Sequence, residues 1–259
     1  PNDGSREVWI INFASHTESL LGKNSLVSAD FACYLRREIL EKTGAETIYF
    51  VGAIGGLIRL KELDEDNVKS TIIGGQSIAH TAMSITDERK LKPILNMMRQ
   101  EYYADADNFL LVLVATVGII KSFAANTGAG SLGMSIKTEM NYFELDDLKM
   151  IFLPCELFPE LAYGGYLSAE ESAEGKSPDI NPAPLTKLAE DDNLLVFCLA
   201  NDFTGYVIPP NDFYLHPEEP YINGGRDRLD RKHYEETNSL GPNTAPIVAK
   251  VFKDIIDTV

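Results

Sequence analysis

Three short stretches end in side chains that bind metals or move protons: "NFASH" in His16, "IFLPCE" in Glu156 and "FCLANDFTGY" in Tyr206. Each follows an apolar run, so each group would sit where a strand hands over to a loop, and rigid strands fix the side chains at their tips. Imidazole and carboxylate are ordinary Zn2+ ligands, and three protein ligands plus a water make a catalytic rather than a structural site. Such a metal acidifies its water and polarises a carbonyl, which is hydrolase chemistry. A tyrosine phenol is a rarer ligand and needs the cation to draw off its proton near neutral pH. Spacing alone leaves each residue a plainer role. His16 can open a polar loop with Ser15, Thr17 and Glu18, Glu156 can cap a following helix, and Tyr206 can be a packed aromatic. No compact metal motif such as HExxH occurs.

The elements that must carry these groups can be read from periodicity. Val8, Trp9, Ile10 and Ile11 form a buried strand. Ser28 caps a helix over 30–42 in which Phe31, Leu35 and Ile39 recur at i+4, and Gly44 stops it. "ETIYFVG" at 46–52 is a second strand, ending in the glycine-rich "GAIGGL". Strand, helix, strand in that order predicts an α/β layer with a crossover connection.

"KELDEDN" at 61–67 reads as a solvated acidic loop, followed by helices over 75–86 and 89–103, with Pro93 in the first turn of the second. "FLLVLVATVGII" at 109–120 has the length of a buried strand or pair of strands, and 135–154 a hairpin turning at Asp146-Asp147. Residues 168–184, rich in Pro, Ser, Ala and acid, read as a mobile insertion. A buried strand over 193–200 precedes irregular chain at 207–238. A last helix runs from Pro242 with an apolar stripe of Ile247, Val248, Val251, Phe252, Ile255 and Ile256. No internal repeat is present. The expected fold class is α/β, one domain over 1–259, with a mixed sheet flanked by helices and the site at strand ends.

Composition narrows the partners. With 23 basic and 39 acidic residues the net charge is −16, which works against nucleic acid and anionic membranes. No apolar run reaches the roughly 20 residues of a membrane span, so no transmembrane segment is expected. Cys33, Cys155 and Cys198 are odd in number and far apart, which argues for buried apolar residues rather than a disulfide framework. An acidic Ca2+ module built on "DEDN" would lack the EF-hand glycine and terminal glutamate. The chain begins at Pro1, so a processed signal peptide would not be visible in it.

"WIINFASHTESLLGKNSLVSADFACYLRREI" resembles the segment of the neutral/alkaline (non-lysosomal) ceramidases that reads approximately F-A-x-H-x-T-S, then S-G-D and a helix. "FLPCELF" resembles that family's L-P-G-E motif, "ANDFTGYV" its N-x-x-x-x-Y motif, and "KHYEETNSLGPNT" its Q-x-Y-E-x-x-S-x-x-G-P-x-T motif. The matches come in family order across residues 8–259. The resemblance implies that His16, Glu156 and Tyr206 bind zinc, and that Tyr234 hydrogen-bonds the substrate carbonyl as charge builds on its oxygen. The implied reaction is hydrolysis of the amide bond of a small-molecule or lipid N-acyl substrate, in a secreted or periplasmic setting.

Two departures accompany it. The family's second zinc histidine, from an H-x-H-like motif, precedes everything matched here. The expectation is therefore a domain truncated at its N-terminus, whose sheet can lack strands, expose an edge and form a homo-oligomer. Of the remaining histidines, His80 reads as a surface helix residue and His233 as the better stand-in ligand. The family's turn A-G-D-V-S-P carries an active-site serine. Here "IGGLIR" puts Ile58 at that serine and Gly56 at the aspartate, while Cys155 replaces the glycine before the glutamate. Hydrolysis would then fall to a metal-activated water. The alternative is a non-catalytic relative that binds a ligand or partner.

Overall fold

The computed structural model describes residues 3–121 and 123–258, apart from the side chain of Lys23. Its contacts group into two compact units, residues 1–90 and 91–259, taken here in turn.

In the first unit β1 (Val8–Phe13) and β2 (Glu46–Val51) pair in parallel, with α1 (Asp30–Thr43) crossing between them. Gly44 ends α1 in the left-handed conformation at φ 78°, as the sequence predicts. Trp9, Ile11 and Tyr49 turn toward the core formed by Leu35, Ile39, Ala45 and Ala79. Val8, Ile10, Ile48 and Phe50 alternate with them and are exposed. The second helix, α2 (Asn67–Ser84), begins eight residues before the expected 75 because Asp66 caps it, accepting from the N–H groups of Val68 and Lys69. Gly74 and Gly75 lie inside it. A Cβ on Gly75 would come 2.4 Å from the Phe31 carbonyl, so the glycine lets α2 approach α1 closely.

The second unit is built on a mixed five-stranded sheet in the order β3-β5-β6-β8, with β4 also on β5. The strands are β3 (Leu95–Asp105), β4 (Phe123–Asn126), β5 (Met134–Leu145), β6 (Leu148–Phe152) and β8 (Leu195–Phe197). Among the described residues only β6 and β8 pair in parallel within it. The β5–β6 hairpin turns at Asp146-Asp147 as expected, with Asp146 at φ 57°. Two expectations fail here. The helix over 89–103 is instead largely β3, antiparallel to β5 from Leu95↔Leu145 to Asp105↔Ser135. Cross-strand pairs Arg99–Glu139 and Lys137–Glu101 reward that register, and tertiary pairing overrides the helix-forming composition. The run 109–120 is not strand but α3 (Phe109–Thr116), nucleated by Asn108, which accepts from Leu110 and Leu111 N–H. An apolar run of that length does not distinguish strand from helix.

Three further helices are α4 (Pro159–Tyr163), α5 (Leu185–Ala189) and the closing α6 (Thr244–Ile256). Val248, Phe252 and Ile255 of α6 are buried, and Phe252 packs edge-on against Tyr142 of β5. Residues 168–184 dock through Arg228, whose guanidinium donates to the carbonyls of Ala169, Glu170 and Ser172. Cys155 and Cys198 are buried, Cys33 half-buried, and all three are free thiols. Among the described residues no helix is long and apolar enough to cross a membrane. The α/β class and the mixed sheet with helices are as the sequence predicts.

Candidate functional site

His16 stands in the first unit, three residues past β1. Its backbone N–H and its Nδ1 both meet the Ile58 carbonyl oxygen at 2.8 Å, in a one-residue parallel bridge with Arg59. A carbonyl only accepts, so Nδ1 carries a proton, and a neutral ring would hold its lone pair on Nε2. That is the tautomer in which a second-shell carbonyl orients an imidazole toward a metal. The backbone before it is held by Tyr49, whose hydroxyl lies 2.8 Å from the Ser15 carbonyl and 3.0 Å from that of Phe13. The loop after it is held by buried Asp30, whose carboxylate accepts the backbone N–H groups of Ser19 and Leu20, each at 3.0 Å.

Glu156 and Tyr206 stand in the second unit as direct partners in one parallel pair, β7 (Glu156–Leu157) with β9 (Tyr206–Val207). Register partners project their side chains to the same face, so carboxylate and phenol are neighbours. The pairing extends upstream: Leu153 and Ala200, Cys155 and Leu199, and Pro154 and Thr204 are joined by backbone hydrogen bonds. Gly205 is what lets Tyr206 reach this place. It accepts from the Glu156 N–H at 3.0 Å and adopts φ 85°, and a Cβ there would lie 1.8 Å from the Asn238 carbonyl oxygen.

Tyr206 is buried, and its hydroxyl lies 3.5 Å from that of Tyr234, the rings meeting edge to face at 6.1 Å. Burial first, then the Tyr234 hydroxyl and the Glu156 charge, hold the Tyr206 phenol well above its ordinary pKa. Tyr234 itself is partly exposed, just before a 3-10 turn over Glu235–Asn238.

The other histidines are accounted for differently. His80 is a surface residue of α2 whose Nε2 lies 2.9 Å from Glu38. His233 is not the stand-in ligand expected of it. It is buried, with Nδ1 3.0 Å from Glu236 and Nε2 3.2 Å from Asp227, so both of its nitrogens are committed to carboxylates. Burial opposes its charging, but Glu236 and Asp227 outweigh that and hold its pKa above the ordinary imidazole value. The spacing of His233 and Glu236, three residues apart around Tyr234, was the sequence signal for this pair.

Two cavities adjoin these strands. One of about 350 Å3 is lined by Leu111, Ile120, Ile136, Phe203, Gly205 and Leu240, with Thr204 and Asn238 among its polar groups. A smaller one of about 110 Å3 lies between Phe158, Ile208 and the His233–Glu236 turn. Among the described residues no three His, Cys, Asp or Glu side chains gather closely enough to hold a metal ion. The expected set contains one histidine, one glutamate and one tyrosine, so its composition lies outside such a cluster. Its imidazole nitrogen, carboxylate and phenol oxygen are donors that suit Zn2+.

No family model matches the chain, and no curated protein matches it in sequence. Solved structures do. The neutral ceramidase from Pseudomonas aeruginosa aligns with a TM-score of 0.61 at 14% identity, over 98% of this chain and 44% of that one. A structure described as a ceramidase complexed with C2 aligns at 0.63 and 13% identity, over 98% of this chain and 46% of that one. The chain therefore spans less than half the length of the structures it matches, and its fold is ceramidase-like.

Proposed function

We propose that this chain carries the catalytic portion of a zinc-dependent, ceramidase-like hydrolase that cleaves an amide (N-acyl) bond. The observation that carries this reading is the parallel pair joining Glu156 to Tyr206, with the Tyr234 hydroxyl 3.5 Å from that of Tyr206, on a ceramidase-like fold. The residues that would hold the metal are His16 through Nε2, Glu156 through its carboxylate and Tyr206 through its phenol oxygen. A zinc ion, when bound, supplies Lewis acidity and an acidified water.

The chain's own groups do the remainder. Tyr206, whose phenol the protein alone keeps protonated, would lose its proton to solvent near neutral pH only beside a strong positive charge. Tyr234 stands at a partly exposed position and donates its hydroxyl to the substrate carbonyl oxygen as that oxygen gains charge. The cavity beside Gly205, apolar along Leu111, Ile120, Ile136 and Leu240 with Lys121 and Asp202 at its charged part, receives the hydrocarbon part of the substrate. Ile58 offers only a carbonyl at the family's serine position, so no side-chain nucleophile arises there.

The test is metal content by plasma mass spectrometry on protein purified without chelator, beside a His16→Ala variant, followed by a screen of N-acyl substrates. About one zinc per chain, lost in the variant, together with amide cleavage, is the expected result for a three-ligand site. The isoleucine side chain at position 58 favours a second reading, a non-catalytic relative that binds a ligand without turnover. Metal-free protein that releases no fatty acid would select it.

A further inference from the structure

We propose that His233 is a positioning residue: held as an imidazolium between the buried carboxylates of Asp227 and Glu236, it clamps the bend that carries Tyr234 and so aims the Tyr234 ring at Tyr206. The part Tyr234 plays in hydrolysis rests on the function proposed above, whereas the clamp rests on geometry alone.

Both ring nitrogens face carboxylate oxygens, Nδ1 toward Glu236 Oε1 at 3.0 Å and Nε2 toward Asp227 Oδ2 at 3.2 Å. An ionised carboxylate only accepts, so both contacts are hydrogen bonds only if both nitrogens carry protons. All three side chains are almost wholly out of solvent, where such pairs are strong and their loss is costly. Glu236 lies three residues beyond His233, so this ion pair spans Tyr234 and ties the strand before it to the 3-10 turn after it. The backbone is gripped as well. His233 pairs with Gly225 across the short ribbon of β10 (Gly225–Arg226) and β11 (Lys232–His233), and a Cβ on Gly224 would come 2.5 Å from the His233 carbonyl oxygen.

The charged groups around the ring nearly balance while it is protonated. Asp227 also receives the Leu229 and Arg231 N–H groups and the Arg231 guanidinium. Arg231 continues to Asp212 at 2.8 Å, and Glu236 receives the N–H of Tyr214, whose ring lies 5.4 Å from the imidazole. Glu235 and Lys232 line the small cavity with His233, and Tyr221 faces the Glu236 charge. Asp212, Asp227 and Glu236 thus face Arg231 and His233. Loss of the imidazolium proton leaves two buried carboxylates facing one ring with a single N–H, and the clamp opens.

The experiment is a pH titration of the intact chain with isotopically labelled histidine and tyrosine rings, followed by nuclear magnetic resonance. We expect His233 to stay doubly protonated above about pH 7, where an ordinary imidazole is neutral. Its eventual deprotonation should shift the ring signals of Tyr234 while leaving those of Tyr49 unmoved. In His233→Gln the Tyr234 signals should sit at their high-pH positions at every pH. With a working substrate, the same variant should lose about tenfold in kcat at nearly constant KM, together with the alkaline limb of the unmodified protein's profile. Tyr234 signals that ignore the His233 titration would overturn the proposal, and so would a singly protonated His233 at pH 7. That titration needs no variant, so it decides the clamp even where His233→Gln does not fold. Absence of turnover in the unmodified chain would count against the function and not against the clamp.

Discussion

The carbonyl oxygen of Ile58 accepts from both the backbone N–H and the Nδ1–H of His16, each at 2.8 Å. Ile58 therefore acts on His16 through its backbone. Any side chain at position 58 leaves that acceptor in place.

This yields the first prediction. Ile58→Ser should leave zinc content unchanged within measurement, because the His16 tautomer is set by a main-chain group. Loss of metal in Ile58→Ser, read by plasma mass spectrometry, would show that the isoleucine side chain itself supports the histidine.

Tyr234→Phe removes one hydroxyl and keeps the edge-to-face contact with Tyr206. At a partly exposed position the stability change should stay within about 0.5 kcal/mol. On the proposed function, the hydrolysis rate should fall by about 10²-fold, the usual result of losing one oxyanion donor. Steady-state kinetics on the best N-acyl substrate, with thermal unfolding alongside, separates the two effects.

Gly205→Ala meets two obstacles at once, a φ of 85° and the Asn238 carbonyl oxygen 1.8 Å from the new Cβ. Backbone strain of about 1–3 kcal/mol comes from the conformation alone, and the clash adds to it. The variant should unfold at a clearly lower temperature or fail to accumulate as folded protein. An unchanged unfolding midpoint would mean that the β7–β9 pair tolerates a shift of the Asn238 segment.

Stability should depend on pH through the buried pair of His233 and Asp227. His233 titrates in the folded chain above its ordinary value of 6.5, so its contribution is complete below that pH and is lost as pH rises through the folded value. Asp227 is the opposite case. Burial disfavours its charge, but hydrogen bonds from Arg231, His233 and Leu229 hold its pKa below the ordinary 3.8, so its contribution is present above that pH and is lost on acidification. Thermal midpoints across pH should decline on both sides, and His233→Gln should remove only the alkaline decline. A variant that keeps the alkaline decline would assign it to another group.

Much of this arrangement can be read in the chain itself. The strand–helix–strand start works because each signal is local: the i+4 spacing of Phe31, Leu35 and Ile39, and a glycine at the helix end. Asp146-Asp147 is equally local, since a tight turn needs only residues that tolerate a positive φ. Leu95 to Asp105 could not be read that way, because what makes it a strand is an eleven-residue register with β5, set by residues some forty positions away. The same holds at the site. Glu156 and Tyr206 are recognisable as strand-end groups, but that they are direct partners depends on Gly205 passing beneath Asn238. Asp227 gave no signal, being six residues from His233 across a ribbon too short to show alternation.

The alternation of β1 and β2 has a consequence for how the protein behaves in bulk. Parallel sheets are ordinarily covered on both faces, yet Val8, Ile10, Ile48 and Phe50 leave one face of this pair open to solvent. A net charge of −16 keeps such molecules apart at low ionic strength, where their fields extend far into solution. Salt shortens that reach to about 8 Å at physiological strength, while apolar attraction persists. The chain should accordingly be a colloid stabilised by charge, dispersed in dilute buffer and increasingly self-associating as salt is added. Light scattering along a salt series would follow that passage.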